Sequence, residues 1–130
     1  MHVEVDAAAP TVVRGDPDRL REVVDNLLDN ALRHAPAGSN VSVSVQRDGC
    51  EARLAVHDQG PGLSADAQAH VFDRFYRADR SRARVSGGLG LGLAIAKAIV
   101  DAHQGRLSVD SALGQGATFT MRIALSDERA

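Results

Sequence analysis

The sequence predicts an α+β fold: a two-layer α/β sandwich with a mixed, mostly antiparallel sheet on one side and three helices on the other. Three observations predict it. One long segment carries apolar residues at helical spacing, two pairs of segments alternate apolar and polar residues about glycine turns, and a run of alternating glycines leads straight into a further apolar helix. With 130 residues the chain makes one domain, residues 1–130, large enough to bury a core without disulfides or a structural metal.

The elements follow in order. His2-Val-Glu-Val-Asp6 alternates like a half-buried strand, and Thr11–Arg14 reads as a second short one after a turn at Pro10; both are expected at sheet edges. Asp16 stands as N-cap with Pro17 at the first helical position, where the missing N–H costs nothing. Leu20, Val23, Val24, Leu27, Leu28, Ala31 and Leu32 then recur as one buried stripe, and the helix ends near Ala35-Pro36. Val41, Val43 and Val45 alternate with serines, and Asp48-Gly49 turns the chain into Ala52, Leu54 and Val56, a hairpin with Asp58 just past its second strand. Ser64 caps a short helix reaching about Val71. The stretch from Arg74 to Ser86 holds five arginines without apolar periodicity and is expected to act as a lid. Leu91, Ile95, Ala98, Ile99 and Ala102 mark the expected buried face of the third helix, and a last hairpin pairs Arg106–Asp110 with Thr118–Leu125 through Gly114-Gln-Gly116.

Bulk numbers exclude several classes. No apolar run approaches the ~18 residues of a transmembrane helix, so no direct membrane contact is expected. The opening residues lack the basic and apolar regions of a signal peptide. The single Cys50 has no partner and no zinc-ligand spacing around it, which fits a reducing compartment and a bland place beside a turn. A net charge of −2 argues against a general nucleic-acid binder.

The chemistry concentrates in three places. In Gly87-Gly-Leu-Gly-Leu-Gly-Leu93, glycines let the backbone approach an anion closely, and the open N–H groups of the following helix attract negative charge. A mobile connector is the bland alternative. Asn26, Asn30, Arg33 and His34 fall on one face of the first helix beside the apolar stripe. Asparagine is a mediocre helix former, so two of them one turn apart need a reason beyond a solvated face. Amide oxygens can help to hold Mg²⁺, which prefers oxygen ligands and keeps waters and phosphates in its shell. Asp58-Gln-Gly60-Pro-Gly62 reads as an ordinary turn unless its acid is buried. A buried carboxylate at a strand end can accept from an exocyclic amine, which distinguishes adenine from guanine.

These segments resemble the catalytic and ATP-binding domain of a bacterial two-component sensor histidine kinase, in the superfamily that also holds the gyrase and heat-shock chaperone ATPases. The resemblance covers essentially all of the chain. Asn26–His34 resembles the N box, Asp58–Gly62 the G1 box, Phe72-Asp-Arg-Phe-Tyr-Arg77 the F box and Gly88-Leu-Gly-Leu-Gly92 the G2 box, and Gly114–Phe119 is similar to the last glycine motif. It implies a Bergerat-type fold and ATP with Mg²⁺ as ligands. Asn26 and Asn30 would hold the metal, Arg33 would reach the phosphates, and His34 would lie against adenine. Asp58 would bind the adenine amine, with Gly60 and Gly62 beside it and Thr118 supporting it through water. Phe72, Phe75 and Tyr76 would hinge the lid, with a core role for Phe72. Arg74 and Arg77 would bring positive charge near the outer phosphates, and Gly88, Leu89, Gly90, Leu91 and Gly92 would wrap the triphosphate.

The resemblance further implies an ATP-dependent protein-histidine kinase, with Asn26, Asn30 and Arg33 as its catalytic set. It would pass the γ-phosphoryl group to a histidine on a dimerisation domain, and a response-regulator receiver domain would act downstream. A cytoplasmic position under a membrane-anchored sensor follows from the same likeness. None of the five histidines has the context of a phospho-acceptor, and no helical hairpin precedes residue 1, so the accepting domain is expected to be absent. Opening on a bare strand is expected of a piece excised from a longer chain. His57 should point away from Asp58, His70 should sit on a short surface helix, and His103 should end the third helix, where a cation is favoured.

Three rival functions stay in view. Hydrolytic ATPases of the superfamily carry a glutamate base one turn before the magnesium asparagine; Asn26 stands there and cannot act as a base. Anti-sigma-factor serine kinases share the N and G1 boxes but not the full Phe72–Arg77 motif. A nucleotide-dependent binding module without catalysis is the non-enzymatic alternative.

Overall fold

The computed structural model describes residues 2–7, 13, 15–74 and 91–125. The chain runs β1 (His2–Ala7), α1 (Pro17–His34), β2 (Asn40–Asp48), β3 (Glu51–Asp58), α2 (Ala65–His70), α3 (Gly92–Ala102), β4 (Arg106–Ser111) and β5 (Ala117–Ala124). The strands form one sheet in the order β1-β2-β3-β5-β4. Only β1 and β2 pair in parallel, a pairing that needs a crossover, and α1 lies between them in the chain. The other three pairs are antiparallel. β1 is an edge, as expected; of the second expected strand only Val13 is described, bridging antiparallel to Leu125.

Alternation decides what the sheet buries. Val41, Val43, Val56, Ala117, Phe119, Met121 and Ile123 point into the helix layer, where they meet Val23, Leu27 and Ala31 of α1 and Ala96 and Val100 of α3. Val23 and Leu27 are fully buried, and each such burial contributes about 1.5–3 kcal/mol. The α1 stripe is as expected at its centre, with Leu20, Val24 and Leu28 half-buried at its edges, but Leu32 is 40% exposed.

The expected face of α3 is corrected. Ala96 and Val100 are buried and Leu93 and Ile99 pack beside them, whereas Ile95, Ala98 and Ala102 face outward. In Gly-Leu-Ala-Ile-Ala-Lys-Ala-Ile-Val-Asp-Ala nearly every position is apolar, so periodicity cannot locate the inner face. Among the described residues no helix is long and apolar enough to cross a membrane. Cys50 is exposed and free beside its turn.

Candidate functional site

α1 and α2 start with matched caps. Asp16 Oδ1 accepts from the N–H groups of Asp18 and Arg19, Ser64 Oγ accepts from the Ala67 N–H, and each first turn carries an acid, Asp18 or Asp66. α3 begins otherwise. Leu91, its N-cap, supplies no side-chain bond, and the first turn holds no acid. Among the described residues no side chain caps that turn, an arrangement whose N–H groups and positive dipole end suit an anion.

Asn26 faces this helix start. Its Nδ2 donates to the Gly92 carbonyl oxygen at 3.2 Å, which turns the amide so that Oδ1 is left as an acceptor. Asn30 stands one turn further along α1, half-buried. Arg33 is held by Asp29 at 2.9 Å on the helix surface, both side chains largely in solvent. Among the described residues no cluster of three His, Cys, Asp or Glu could hold a metal.

Asp58 closes the other end. It is 3% exposed, the only buried charged or polar residue among those described, and its Oδ1 accepts from the Gly60 N–H at 2.8 Å. Its second oxygen remains as an acceptor. Gly60 sits where a Cβ would come 2.6 Å from the His34 carbonyl oxygen and 2.9 Å from Asp58 Oδ1, so the loop after β3 lies directly under the end of α1. Gln59 Oε1 accepts from the Asn40 N–H at 3.1 Å and ties the same loop to the start of β2. Gly62 lies on the other side, against Ala112, and the Gly114 N–H donates to the Pro61 carbonyl at 2.7 Å.

Thr118 does not stand where it was expected. Residues 117, 119, 121 and 123 of β5 face the helices, so Thr118 points to the opposite side of the sheet, where its Oγ1 lies 2.8 Å from Nδ1 of His57. Ala117 is the residue paired with Asp58. His57 points away from the acid, as alternation required. Phe72 packs edge-on against Phe119, with ring centroids 6.0 Å apart, which is the expected core role. Arg74 is exposed at the end of the segment after α2. Phe75, Tyr76, Arg77, Gly88, Leu89, Gly90 and most of the expected lid lie outside the described residues.

Two residues that shape the site were missed. Ser111 Oγ donates to the Gly116 carbonyl at 2.6 Å and accepts from the Leu63 N–H at 2.8 Å, so one hydroxyl joins the two glycine loops around Asp58. Gln68 Nε2 donates to the carbonyls of Leu63 and Ser111 and locks that junction from α2. Two of these four bonds, Leu63 to Ser111 and Gln68 to Ser111, span more than forty residues, and no local sequence signal marks them. An open apolar cleft of about 300 Å³, lined by Val13, Leu20, Val24, Val45, Leu54 and Ile123 among others, lies toward the β2–β3 turn, at the far end of β3 from Asp58.

Comparison with known proteins fits this geometry. Residues 15–127 match the family described as histidine kinase-, DNA gyrase B-, and HSP90-like ATPase. The chain is 42% identical over 123 residues to the sensor-like histidine kinase SenX3 of Mycobacterium tuberculosis, covering 95% of this chain and 30% of that protein. It is 42% identical over 116 residues to the sensor histidine kinase WalK of Bacillus subtilis, covering 88% of this chain and 19% of that protein. It thus spans less than a third of these relatives. Among solved structures, the mycobacterial sensor histidine kinase MprB superposes with a TM-score of 0.82 at 36% identity, over 95% of this chain and 81% of that one. Full-length ShkA in complex with AMPPNP gives 0.82 at 31% identity, over 96% of this chain and 26% of that one. The chain therefore belongs to the histidine kinase-, DNA gyrase B- and HSP90-like ATPase family, as an ATP-binding domain of the sensor histidine kinase type.

Proposed function

We propose that this domain binds ATP with Mg²⁺ and positions the γ-phosphoryl group for transfer to a histidine on a dimerisation domain, in the same full-length protein or a split partner. A response-regulator receiver domain then takes the phosphoryl group, on the cytoplasmic side of a membrane-anchored sensor. The observation that carries the reading is the meeting of Asn26 with Gly92, which sets amide oxygens beside a helix start left open for an anion. The AMPPNP held by the related ShkA supports an adenine nucleotide as that anion.

The residues fit a metal that arrives with the nucleotide. Two neutral amides are too few to hold Mg²⁺ alone, and with no acidic cluster among the described residues the phosphates must supply the anionic ligands. When bound, the ion neutralises phosphate charge. Asp58 accepts from the adenine amine, and its fixed oxygen keeps the Gly60 turn closed over the base. The first-turn N–H groups of α3 face the phosphates. Arg33 exchanges Asp29 for phosphate at little cost, since an exposed ion pair contributes only about 0–1 kcal/mol. Asn26 in place of a carboxylate leaves water unactivated, which favours transfer over hydrolysis.

Asn30→Ala tests the assignment. The variant is expected to fold, shown by an unchanged circular dichroism spectrum, yet to phosphorylate the dimerisation domain at least a hundredfold more slowly, within the range that positioned groups supply. Unchanged transfer would remove Asn30 from the site.

A further inference from the structure

His103 holds the far end of the two helices that carry the site, and its ring can do so only without charge. Nδ1 lies 2.8 Å from the Ile99 carbonyl oxygen, which only accepts, so Nδ1 carries a proton. Nε2 accepts from the backbone N–H of Asp16 at 3.1 Å, so Nε2 keeps its lone pair. Together the two bonds select the neutral Nδ1–H tautomer. The helix dipole alone favours a cation at this position, and the geometry overrules it. Gly15 completes the fit, since a Cβ there would stand 2.6 Å from ring Cδ2 and 2.8 Å from Nε2.

α1 and α3 run antiparallel and are joined at two points, Asn26 to Gly92 beside the phosphate end and Asp16 to His103 at the other. Residues 16 to 26 span about 15 Å of α1 and residues 92 to 103 about 16.5 Å of α3 at the usual helical rise. Such near-equal spans set the two joints at opposite ends of a packed pair of helices, with Val23, Ala96 and Val100 buried between them.

We propose that neutral His103 is a positioning residue for the nucleotide site. It latches α1 to α3, fixes the spacing of Asn26 from the open helix start, and releases both when Nε2 takes a proton. The proposal rests on the reading of this site as that of ATP. A protonated Nε2 would point its N–H at the N–H of Asp16, donor against donor. The surrounding charges are already engaged: the Asp16 carboxylate with Asp18 and Arg19 N–H groups, Arg19 with Glu22, Asp101 with Lys97 and Arg106 with Glu51. Among the described residues none of these side chains bonds the ring.

Two variants test the latch. His103→Gln keeps an acceptor of similar reach that does not titrate, and His103→Phe keeps the bulk of a ring without any acceptor. Nitrogen NMR of the nucleotide-free wild-type chain at about pH 7.5 is expected to show the Nδ1–H tautomer at His103; an Nε2–H tautomer overturns the proposal. In ATP titrations at about pH 7.5 and about pH 5.5, acid should weaken the wild type roughly tenfold more than the Gln variant, the effect of one lost hydrogen bond. The Phe variant should match the acid-weakened wild type already at the higher pH. Equal acid sensitivity in the wild type and the Gln variant overturns the latch alone, and it decides the matter even where the Phe variant fails to fold. A wild-type chain that binds no ATP at the higher pH overturns the reading of the site and the proposal with it.

Discussion

Asp58 divides its work between two oxygens. Oδ1 is spent on the Gly60 N–H, and the other is the acceptor that we propose meets the adenine amine. Asp58→Asn keeps the acceptor that closes the turn but sets an amide N–H against the adenine amine, so the variant should fold and lose at least tenfold in ATP affinity. Calorimetry within twofold of the parent would exclude Asp58 from base recognition. Gly116 supports that acid from below, with φ at +75° and a Cβ position only 2.1 Å from the Asp58 carbonyl oxygen. Gly116→Ala should therefore destabilise the domain by roughly 1–3 kcal/mol or more, read from chemical denaturation. A parent-like midpoint would show that the junction can yield. The sequence made Asp58 legible, because an acid at the end of a hydrophobic strand has few bland uses when buried. It misassigned Thr118, although the apolar period of Phe119, Met121 and Ile123 already turned that residue outward. Ser111 and Gln68 were illegible, because their partners come together only when the sheet and α2 are in place.

At the level of elements, legibility followed contrast. In α1 the alternation of charge with leucine and valine marks the inner face, and Val23, Leu27 and Ala31 are its centre. In α3 only Lys97 and Asp101 break an apolar run, so the face could not be read, and the pairing of β1 with β2 in parallel was not written in either strand alone. The end of α2 makes a pH prediction. The hydrogen bond that the His70 ring donates to the Asp73 carboxylate raises the imidazole above its ordinary value of 6.5, opposed by partial desolvation and helped by the nearby charges of Asp73 and Asp66. A raised folded value stabilises the native state fully below the unfolded one and loses that contribution as pH rises through the folded one. Acid should thus favour this end of α2, which leads directly to Phe72. Asp73→Asn should lower the His70 titration midpoint measured by proton NMR; an unmoved midpoint would mean that the ion pair is not formed in solution.

For the whole molecule, the decisive matter is what a domain with this site can do alone. Of its histidines, His57 is bonded to Thr118, His70 to Asp73 and His103 to Ile99 and Asp16, and His34 sits on α1 beside the Asp58 loop. The rings of His57, His70 and His103 are thus already engaged, and Asn26 supplies no base to a water molecule. The isolated chain should therefore bind ATP yet neither label itself nor turn it over. Adding a cognate dimerisation domain in trans should place acid-labile phosphate on that partner's histidine, and only weakly, because the effective concentration given by a covalent linker is missing. Joining the two domains in one chain should raise the rate of labelling without changing the Kd for ATP, since the linker acts on encounter and not on the nucleotide site. Steady phosphate release by the isolated chain near the enzyme median of roughly 10 s⁻¹ would contradict this and point to a hydrolytic ATPase, with water reaching the γ-phosphate by a route that does not depend on a carboxylate at position 26.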